Sequence, residues 1–243
     1  MHRAGGSGLL EVSIRRKAFS TTAGARLEVL HDVSVALRRG EVGALVGPSG
    51  CGKTTMLRII AGLDHDYDGE VRRPPTGQLG MVFQEPRLLP WRTVEENVRL
   101  IAPQVQAAEL ATLLDVLELG AHRTHYPREL SLGLARRVAL ARAFAVNPEL
   151  LLLDEPFVSL DDALAARLRE ELSTLVDRRA VTTLLVTHDI DEAVRLADRV
   201  FVLSPRPARV LADVAVAPPR GARRLEDIAA IKAAISERLR SGK

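Results

Sequence analysis

The sequence predicts an α/β protein with a mainly parallel sheet, an antiparallel β subdomain near its N-terminus and an inserted α-helical subdomain. Three observations predict this fold. A glycine-rich loop near residue 50 joins a strand-like run to a helix-like run. Two stretches of alternating apolar and polar residues precede that loop, and apolar strand-like runs alternate with helix-like segments after residue 149.

The N-terminal elements are two half-exposed strands. Residues 10–14 and 29–37 alternate apolar and polar side chains, which is typical of strands with one buried face. We expect residues 1–8 to be frayed and residues 21–26 to form a turn. The apolar run 42–46 predicts a buried strand, and residues 77–83 predict another.

The loop after residue 46 fits the pattern G-x-x-x-x-G-K-[ST] of a phosphate-binding loop. Its residues are Gly47, Pro48, Ser49, Gly50, Cys51, Gly52, Lys53, Thr54 and Thr55. Glycines let the backbone approach phosphates closely, and a following helix directs its N–H groups toward them. We expect Lys53 to reach the β- and γ-phosphates and Thr54 to bind Mg²⁺ through its hydroxyl. The loop predicts a P-loop NTPase (RecA-like) core that binds a nucleoside triphosphate.

Cys51 is the single cysteine, so no internal disulfide can form. Positive charge in the loop would lower the pKa of its thiol. The favoured interpretation is that Cys51 is a small residue filling space.

The region from residue 93 to residue 144 has helical periodicity. Prolines punctuate the region, and between them apolar residues recur at three- and four-residue spacing. These apolar residues are Leu110, Leu113, Leu114, Leu117 and Leu119 in one stretch and Leu134, Val138, Ala141 and Phe144 in another. We predict one domain over residues 1–243. In it, a helical subdomain over 86–148 is inserted into a nucleotide-binding α/β core over 9–85 and 149–211.

Strands return at 150–153, 183–186 and 200–203, with a helix predicted over 162–177. The proline-rich segment 216–221 is typical of a linker. It lies in a C-terminal tail, 212–243, that ends in a helix with one apolar stripe. We expect that helix to dock on the core; a position near the membrane is the alternative.

Two carboxylates end the apolar strand at 150–153. Asp154 and Glu155 follow four leucines directly, and ligands bind at the carboxyl ends of strands in parallel sheets. We expect Asp154 to hold the Mg²⁺ shell and Glu155 to polarise the attacking water. The alternative is a strand that ends at an acidic turn.

Composition narrows the functional classes. The formal net charge is +3 and 47% of residues are hydrophobic. Because no long basic run is present, we expect no nucleic-acid partner. Without a signal pattern or an apolar run of about 18 residues, we expect a cytoplasmic protein or one bound peripherally at the inner membrane face through a partner.

Four further motifs occur in the order typical of one family. Leu130-Ser-Leu-Gly-Leu134 precedes an arginine-rich helix-like run, Gln84 follows an apolar pair, Ser159-Leu-Asp161 follows the acidic strand, and His188 follows a later strand. Together with the loop and the acidic strand, this order resembles the ATP-binding cassette (ABC) ATPases over residues 9–211. The motifs resemble the signature, the glutamine loop, the subunit-contact loop and the switch histidine of that family.

The resemblance implies a homodimer of cassettes that sandwiches two ATP molecules. Ser131 and Gly133 are expected to contact the γ-phosphate bound by the partner copy, and Asp161 lies in the loop where the copies meet. His188 is implied to reach the γ-phosphate. Gln84 is implied to join the metal site to the transport partner.

Phe19 lies between the first two strands, where the family places an aromatic residue. It is therefore the candidate for stacking on adenine, and its polar neighbours favour a surface position. The alternative is an ordinary core phenylalanine.

The signature departs from the family pattern at Leu132 and Leu134, where a glycine and a polar residue are usual. If the first glycine supplies only space, Leu132 can point away from the nucleotide. If it supplies a special backbone conformation, dimer closure is weakened, because leucine adopts positive φ at a cost.

An importer subunit is the main functional hypothesis. The run Gln84-Glu-Pro-Arg-Leu-Leu-Pro90-Trp91 resembles the nitrate, sulfonate and taurine importer ATPases. The resemblance implies an integral membrane permease and, indirectly, an extracytoplasmic solute-binding protein, with a small anion or organic solute as cargo. Trp91 either anchors the permease or packs internally. The alternatives are a soluble ATPase acting on DNA or ribosomes, an exporter cassette and, more remotely, an unrelated P-loop kinase.

Overall fold

The computed structural model describes residues 8–20, 24–75 and 78–241. Predictions for residues 1–7, for 21–23 in the expected turn, for 76–77 and for 242–243 lie outside the described residues. The chain forms two compact units. The first comprises residues up to Pro74 together with those from Thr182 onward, and the second is Pro75–Val181.

The first unit contains an antiparallel three-stranded sheet. Strand β1 (Leu10–Ser20) lies between β2 (Arg26–Leu37) and β4 (Asp68–Arg72). Leu10 pairs with Leu37, and buried side chains alternate with exposed ones at the start of β1. The two predicted half-exposed strands are thus confirmed, and both extend further than the alternation indicates. Strand β4 was not predicted.

The same unit contains a mostly parallel set of strands around β3 (Val42–Val46). Strand β3 pairs in parallel with β7 (Thr182–Thr187) on one side and with β8 (Arg199–Leu203) on the other. Strand β9 (Val210–Ala215) adds antiparallel to β8. Every residue of β3 and β7 is buried, as expected for strands covered on both faces in a parallel sheet. Strand β3 is apolar throughout, whereas β7 includes three threonines.

Among the described residues of this unit, three segments form α-helices. They are α1 (Lys53–Ile60), α6 (Ile190–Leu196) and α7 (Leu225–Ser241). Helix α7 packs on α6 and buries Ile228 and Ile235, so the expected docking of the C-terminal helix is confirmed. No helix in the described ranges is both long and apolar enough to cross a membrane.

The proline-rich segment 216–221 is not a free linker. Arg220 donates to the carbonyl of Leu196 at 3.0 Å, and Arg223 donates to the carbonyl of Val194 at 2.6 Å. These bonds satisfy carbonyls at the C-terminus of α6 that have no partner within the helix. The two arginines therefore attach the segment to α6.

In the part of the second unit that the structure describes, there are two parallel strands and four α-helices. The strands are β5 (Leu79–Val82) and β6 (Leu150–Asp154). The helices are α2 (Val94–Arg99), α3 (Ala107–Val116), α4 (Leu132–Ala145) and α5 (Asp162–Arg179). The α/β fold with mainly parallel strands, an antiparallel sheet and a helical region is confirmed. The division of the chain at residues 86 and 148 stays a prediction.

Candidate functional site

The phosphate loop connects β3 to α1 in the first unit. Gly50 and Gly52 have φ angles of 75° and 126°, a region that side chains disfavour. A Cβ atom on Gly52 would lie 2.8 Å from Cγ1 of Val29 on β2. The glycine at position 52 is therefore required both by its backbone angle and by the close approach of β2.

Lys53 closes this loop on itself. Its Nζ donates to the carbonyl oxygens of Gly47 at 2.7 Å and Pro48 at 3.1 Å, and the residue is buried. Helix α1 starts at Lys53, and Gly52 at its N-cap has no side chain that accepts from the first N–H groups. The side chain of Thr54 is exposed. The arrangement combines a buried ammonium group with a helix N-terminus, which suits an anion.

Arg206 also contacts the phosphate loop, although the sequence did not predict this contact. It lies between β8 and β9 and donates to the carbonyl of Gly50. Its own segment is tied to β2, because the N–H of Ala208 donates to the carbonyl of Val29 at 2.8 Å. Nothing in the sequence pattern distinguishes Arg206 from the other arginines.

Cys51 is buried in the loop. Burial raises the pKa of its thiol, although the charge of Lys53 opposes this effect. The alternative of a thiol activated by nearby positive charge is therefore wrong, and the interpretation of Cys51 as a filling residue agrees with its environment.

Phe19 lies near the end of β1 with 43% of its surface exposed, so it is not an ordinary core residue. Lys17 Nζ lies 4.5 Å from the centroid of the Phe19 ring. The same ammonium group bonds Asp64 Oδ1 at 2.8 Å, and Lys17 is 2% exposed. The cation holds one face of the ring. Lys17 could have been singled out from the sequence because lysine is scarce in this chain and occurs only at positions 17, 53, 232 and 243.

His188 follows the last residue of β7 and is exposed. Its neighbours fix the backbone on both sides. Thr187 donates its hydroxyl to Glu192 at 2.6 Å and accepts from the N–H of Asp189 at 2.9 Å. Asp189 then caps α6 by accepting from the N–H of Asp191 at 2.7 Å. The histidine is thus presented at the carboxyl end of a buried parallel strand, as a ligand-contacting residue would be.

The second unit holds the acidic strand end. Asp154 is the last residue of β6 and is buried. Glu155 follows it with a φ of 46°, and Ser159 has a φ of 62°. Asp161 caps α5 by accepting from the N–H of Leu164 at 2.9 Å. The main chain after β6 is therefore a tight, locally unusual turn that ends at a capped helix.

The signature segment starts α4 in the same unit. Ser131 is the N-cap, and its hydroxyl accepts from the N–H of Leu134 at 3.3 Å. A Cβ on Gly133 would lie 2.5 Å from Leu164 of α5, so glycine permits this contact. Leu132 is the first helical residue and is 45% exposed. Its backbone is helical and its side chain is largely exposed, which favours the alternative in which the usual glycine at this position supplies only space.

Gln84 and Trp91 are both exposed. Gln84 lies two residues beyond the end of β5, and Trp91 is 68% exposed. The alternative prediction, that Trp91 packs inside the protein, is therefore wrong. Within the second unit, helix α4, which carries the signature segment, contacts Pro156 and Val158 after Glu155. Gln84 lies instead beyond the end of β5. No cluster of three or more His, Cys, Asp or Glu suited to a metal ion occurs in the described segments.

Comparison of the sequence with models of known protein families identifies the family of this chain. The family model described as ABC transporter matches residues 30–158, from β2 through the turn after β6.

The chain belongs to the ABC transporter family.

Named relatives agree with this assignment. The aliphatic sulfonates import ATP-binding protein SsuB 2 of Pseudomonas syringae pv. tomato is 43% identical over 85% of this chain and 87% of its own length. The SsuB proteins of Bacillus licheniformis and Bacillus subtilis are each 42% identical, over 83% and 82% of this chain and over 82% and 81% of their own lengths. Among solved structures, the ATP-binding cassette MJ0796, described as dimeric, post-hydrolysis and bound to ADP and Pi, has a TM-score of 0.76. It is 29% identical and matches 86% of this chain and 100% of that one.

Membership of the ABC family confirms the predicted ATPase activity coupled to transport. The relatives favour an importer ATPase subunit over a soluble ATPase acting on DNA or ribosomes and over an exporter cassette. Nucleotide binding follows from the family. The roles of the individual site residues remain predictions.

Proposed function

We propose that this chain is the ATP-hydrolysing subunit of an importer for aliphatic sulfonates. One observation carries the choice of cargo. Relatives from Pseudomonas, Bacillus and Burkholderia, at 41–43% identity over 82–86% of the chain, share the name of aliphatic sulfonates import ATP-binding protein. The buried Lys53 and the glycine loop before α1 support ATP as the nucleotide.

Mg²⁺ fits the oxygen donors available in this chain. Thr54, an exposed residue, offers a hydroxyl, Asp154 a carboxylate at the end of β6, and Gln84 a side-chain carbonyl. These are the ligand types that Mg²⁺ prefers, and it commonly keeps several waters and substrate phosphates as well. When bound, Mg²⁺ neutralises charge on the β- and γ-phosphates.

The chain's own residues then divide the remaining tasks. Lys53 binds the β- and γ-phosphates, and Phe19 stacks on adenine with the face that Lys17 leaves open. Glu155 polarises the attacking water, and His188 contacts the γ-phosphate. This division is the one that the ABC family implies for residues in these positions.

Two copies of the chain assemble head to tail around two ATP molecules in this proposal. Ser131 and Gly133 of one copy contact the γ-phosphate held by the other, and Asp161 lies in the contact loop. Gln84 and the exposed Trp91 meet an integral membrane permease, because an exposed Trp is a frequent anchor of interfaces. A solute-binding protein on the outer side delivers the cargo. The complex places the chain peripherally at the cytoplasmic face of the cell membrane.

A pull-down from gently solubilised membranes tests the assembly. The tagged chain should recover a polytopic permease, and the permease, with its cognate binding protein, is then reconstituted with the chain in proteoliposomes. We expect ATP turnover to rise when the binding protein carries an alkanesulfonate and to stay at its basal value with nitrate. The Lys53→Ala variant is the control for ATP-dependent uptake. Stimulation by nitrate and not by sulfonates would replace the cargo, and recovery of ribosomal proteins or DNA would remove the importer assignment.

A further inference from the structure

Arg136 makes an unusual set of contacts in the second unit. It lies on α4, two residues beyond the signature segment Leu130–Leu134, and is 5% exposed. Its guanidinium donates through one nitrogen to the carbonyls of Glu155 at 3.2 Å and Pro156 at 2.6 Å, and through the other to the carbonyl of Val158. A single buried cation thus binds three carbonyls of one turn.

The turn needs such support. Glu155 has a φ of 46° and Ser159 a φ of 62°, and side chains at these angles persist only where surrounding structure determines them. Within the turn, the N–H of Val158 donates to the carbonyl of Glu155 at 3.3 Å. The planar, always charged guanidinium of arginine suits several oxygen acceptors in fixed directions. The contacts of Arg136 therefore hold the backbone that carries the Glu155 side chain.

We propose that Arg136 is a positioning residue for Glu155 and mechanically joins the signature helix to the catalytic turn. The proposal rests on the proposed role of Glu155 in polarising the attacking water. Helix α4 begins at Leu132, is capped by Ser131 and carries Arg136 about one turn later, so a contact at its N-terminus reaches the turn through one rigid helix. Leu164 of α5 packs on Gly133 and closes the connection from the other side. ATP contact at the signature of one copy would thus set the position of Glu155 in the same copy.

Arg137 provides a matched control on the same helix. It is equally buried, at 4% exposure, but its bonds lead elsewhere. Its guanidinium pairs with Glu118 beyond α3 and with Glu171 of α5, the latter at 2.8 Å. The hydrogen bond from Arg137 lowers the pKa of Glu118, as a structural ion pair does. Loss of Arg137 should weaken the packing of helices without a direct effect on the turn after β6.

The test compares Arg136→Gln, Arg136→Lys, Arg137→Gln and Glu155→Gln in the full-length protein. The readouts are kcat and KM for ATP and the thermal unfolding midpoint. We expect Arg136→Gln to lower kcat by about 10- to 100-fold, because small displacements of a catalytic group have effects of this size, while KM for ATP stays unchanged. Arg136→Lys should recover part of kcat. Arg137→Gln should lower the unfolding midpoint and leave kcat per folded molecule unchanged.

Each other outcome has a defined meaning. Equal losses of kcat in Arg136→Gln and Arg137→Gln, in proportion to their losses of folded protein, would overturn the proposal. A change in KM alone would also do so. If the Gln variant does not fold, a wild-type kcat in Arg136→Lys decides against it. Undiminished turnover in Glu155→Gln instead removes the proposed role of Glu155, which separates failure of that role from failure of the inference about Arg136.

Discussion

Lys17 and Lys53 are two of four lysines in a chain whose basic residues are otherwise arginine. Both are buried with their ammonium groups bound to oxygen atoms. Lysine is a compact point charge that can enter a small ring of carbonyl or carboxylate oxygens, whereas the guanidinium of arginine is a larger plane. The rarity of the residue was informative at both positions, although the sequence motif identified only Lys53.

Replacing Lys53 with alanine should abolish most ATP affinity. The change removes the charge expected at the β- and γ-phosphates and leaves the carbonyls of Gly47 and Pro48 without this donor. We expect the dissociation constant, measured with a fluorescent ATP analogue, to rise by at least about tenfold, the cost of losing one charge-assisted contact of about 1.4 kcal/mol or more. Lys232→Met is the control, since its side chain pairs with Asp191 on the surface. Unchanged affinity in Lys53→Ala would exclude Lys53 from the phosphate site.

Leu132→Gly should raise ATP turnover modestly. Leu132 is exposed at the first position of α4, so its bulk would face the partner copy in the proposed dimer. Glycine would remove that bulk at a cost of about 0.5–1 kcal/mol in helix stability. Steady-state ATPase rates of the purified transporter check this expectation, and a rate equal to or below that of the wild type would contradict it.

At the scale of elements, the strongest periodic signals predicted the structure well. The buried strands β3, β6, β7 and β8 and the long helix α5 lie where apolar runs or helical spacing indicated. Fully buried parallel strands consist mainly of apolar residues, which a sequence shows directly.

Three elements were missed for physical reasons. Strand β4 has no buried residue and contains Gly69, and β9 has none either, because each is an edge strand completed by pairing with its neighbour. Helix α6 has seven residues and is stabilised by packing against α7. Pairing and docking depend on distant parts of the chain, so local periodicity cannot reveal them.

Helix α6 is held at both ends by the C-terminal segment. Lys232 of α7 pairs with Asp191 in its first turn at 2.8 Å. Arg223 donates to the carbonyls of Val194 and Arg195 in its last turn. Helix α6, which begins two residues after His188, is thus held by residues 28 to 41 positions further along the chain.

Lys232→Met should destabilise the protein at neutral pH and progressively less in acid. Burial raises the pKa of Asp191, but hydrogen bonds from Arg195 and Lys232 outweigh it and lower that pKa. The ion pair therefore stabilises the fold above about pH 4, the unfolded value, and this contribution disappears as pH falls through the lowered folded pKa.

Urea unfolding of both proteins from pH 7 to pH 3 checks this. We expect a difference of about 0.5 kcal/mol at pH 7, because both partners are partly exposed. Lys232→Arg keeps the pair and is the control. A difference that persists undiminished at pH 3 would assign the effect of Lys232 to packing.

For the whole molecule, the decisive question is whether two identical copies close around ATP. Glu155→Gln should bind ATP, nearly stop its hydrolysis and so accumulate the closed state. Light scattering should then report twice the 26.5 kDa mass of the chain when ATP is present, and the single mass without it. Adding Lys53→Ala to Glu155→Gln should abolish the doubling. A monomer under all conditions would indicate that the functional partner is a different cassette.

Much of the candidate site could be predicted from the sequence, because its motifs are contiguous. Residues 47–55 and the pair Asp154 and Glu155 stand next to strands that the apolar pattern locates. Arg136 and Arg206 could not be predicted in this way. Each acts by reaching a carbonyl 19 or 156 positions away, and a carbonyl acceptor leaves no trace in residue identity.

The phosphate loop is braced from outside as well as from within. Val29 of β2 lies against Gly52, and Arg206 donates a hydrogen bond to the carbonyl of Gly50. Lys53 donates to the carbonyl of Gly47 at the start of the loop. A receptor shaped in advance loses little conformational entropy when its ligand arrives. We therefore expect this loop to bind nucleotide with little change in its conformation. The distinction between ATP and ADP would then depend on the parts of the transporter that move.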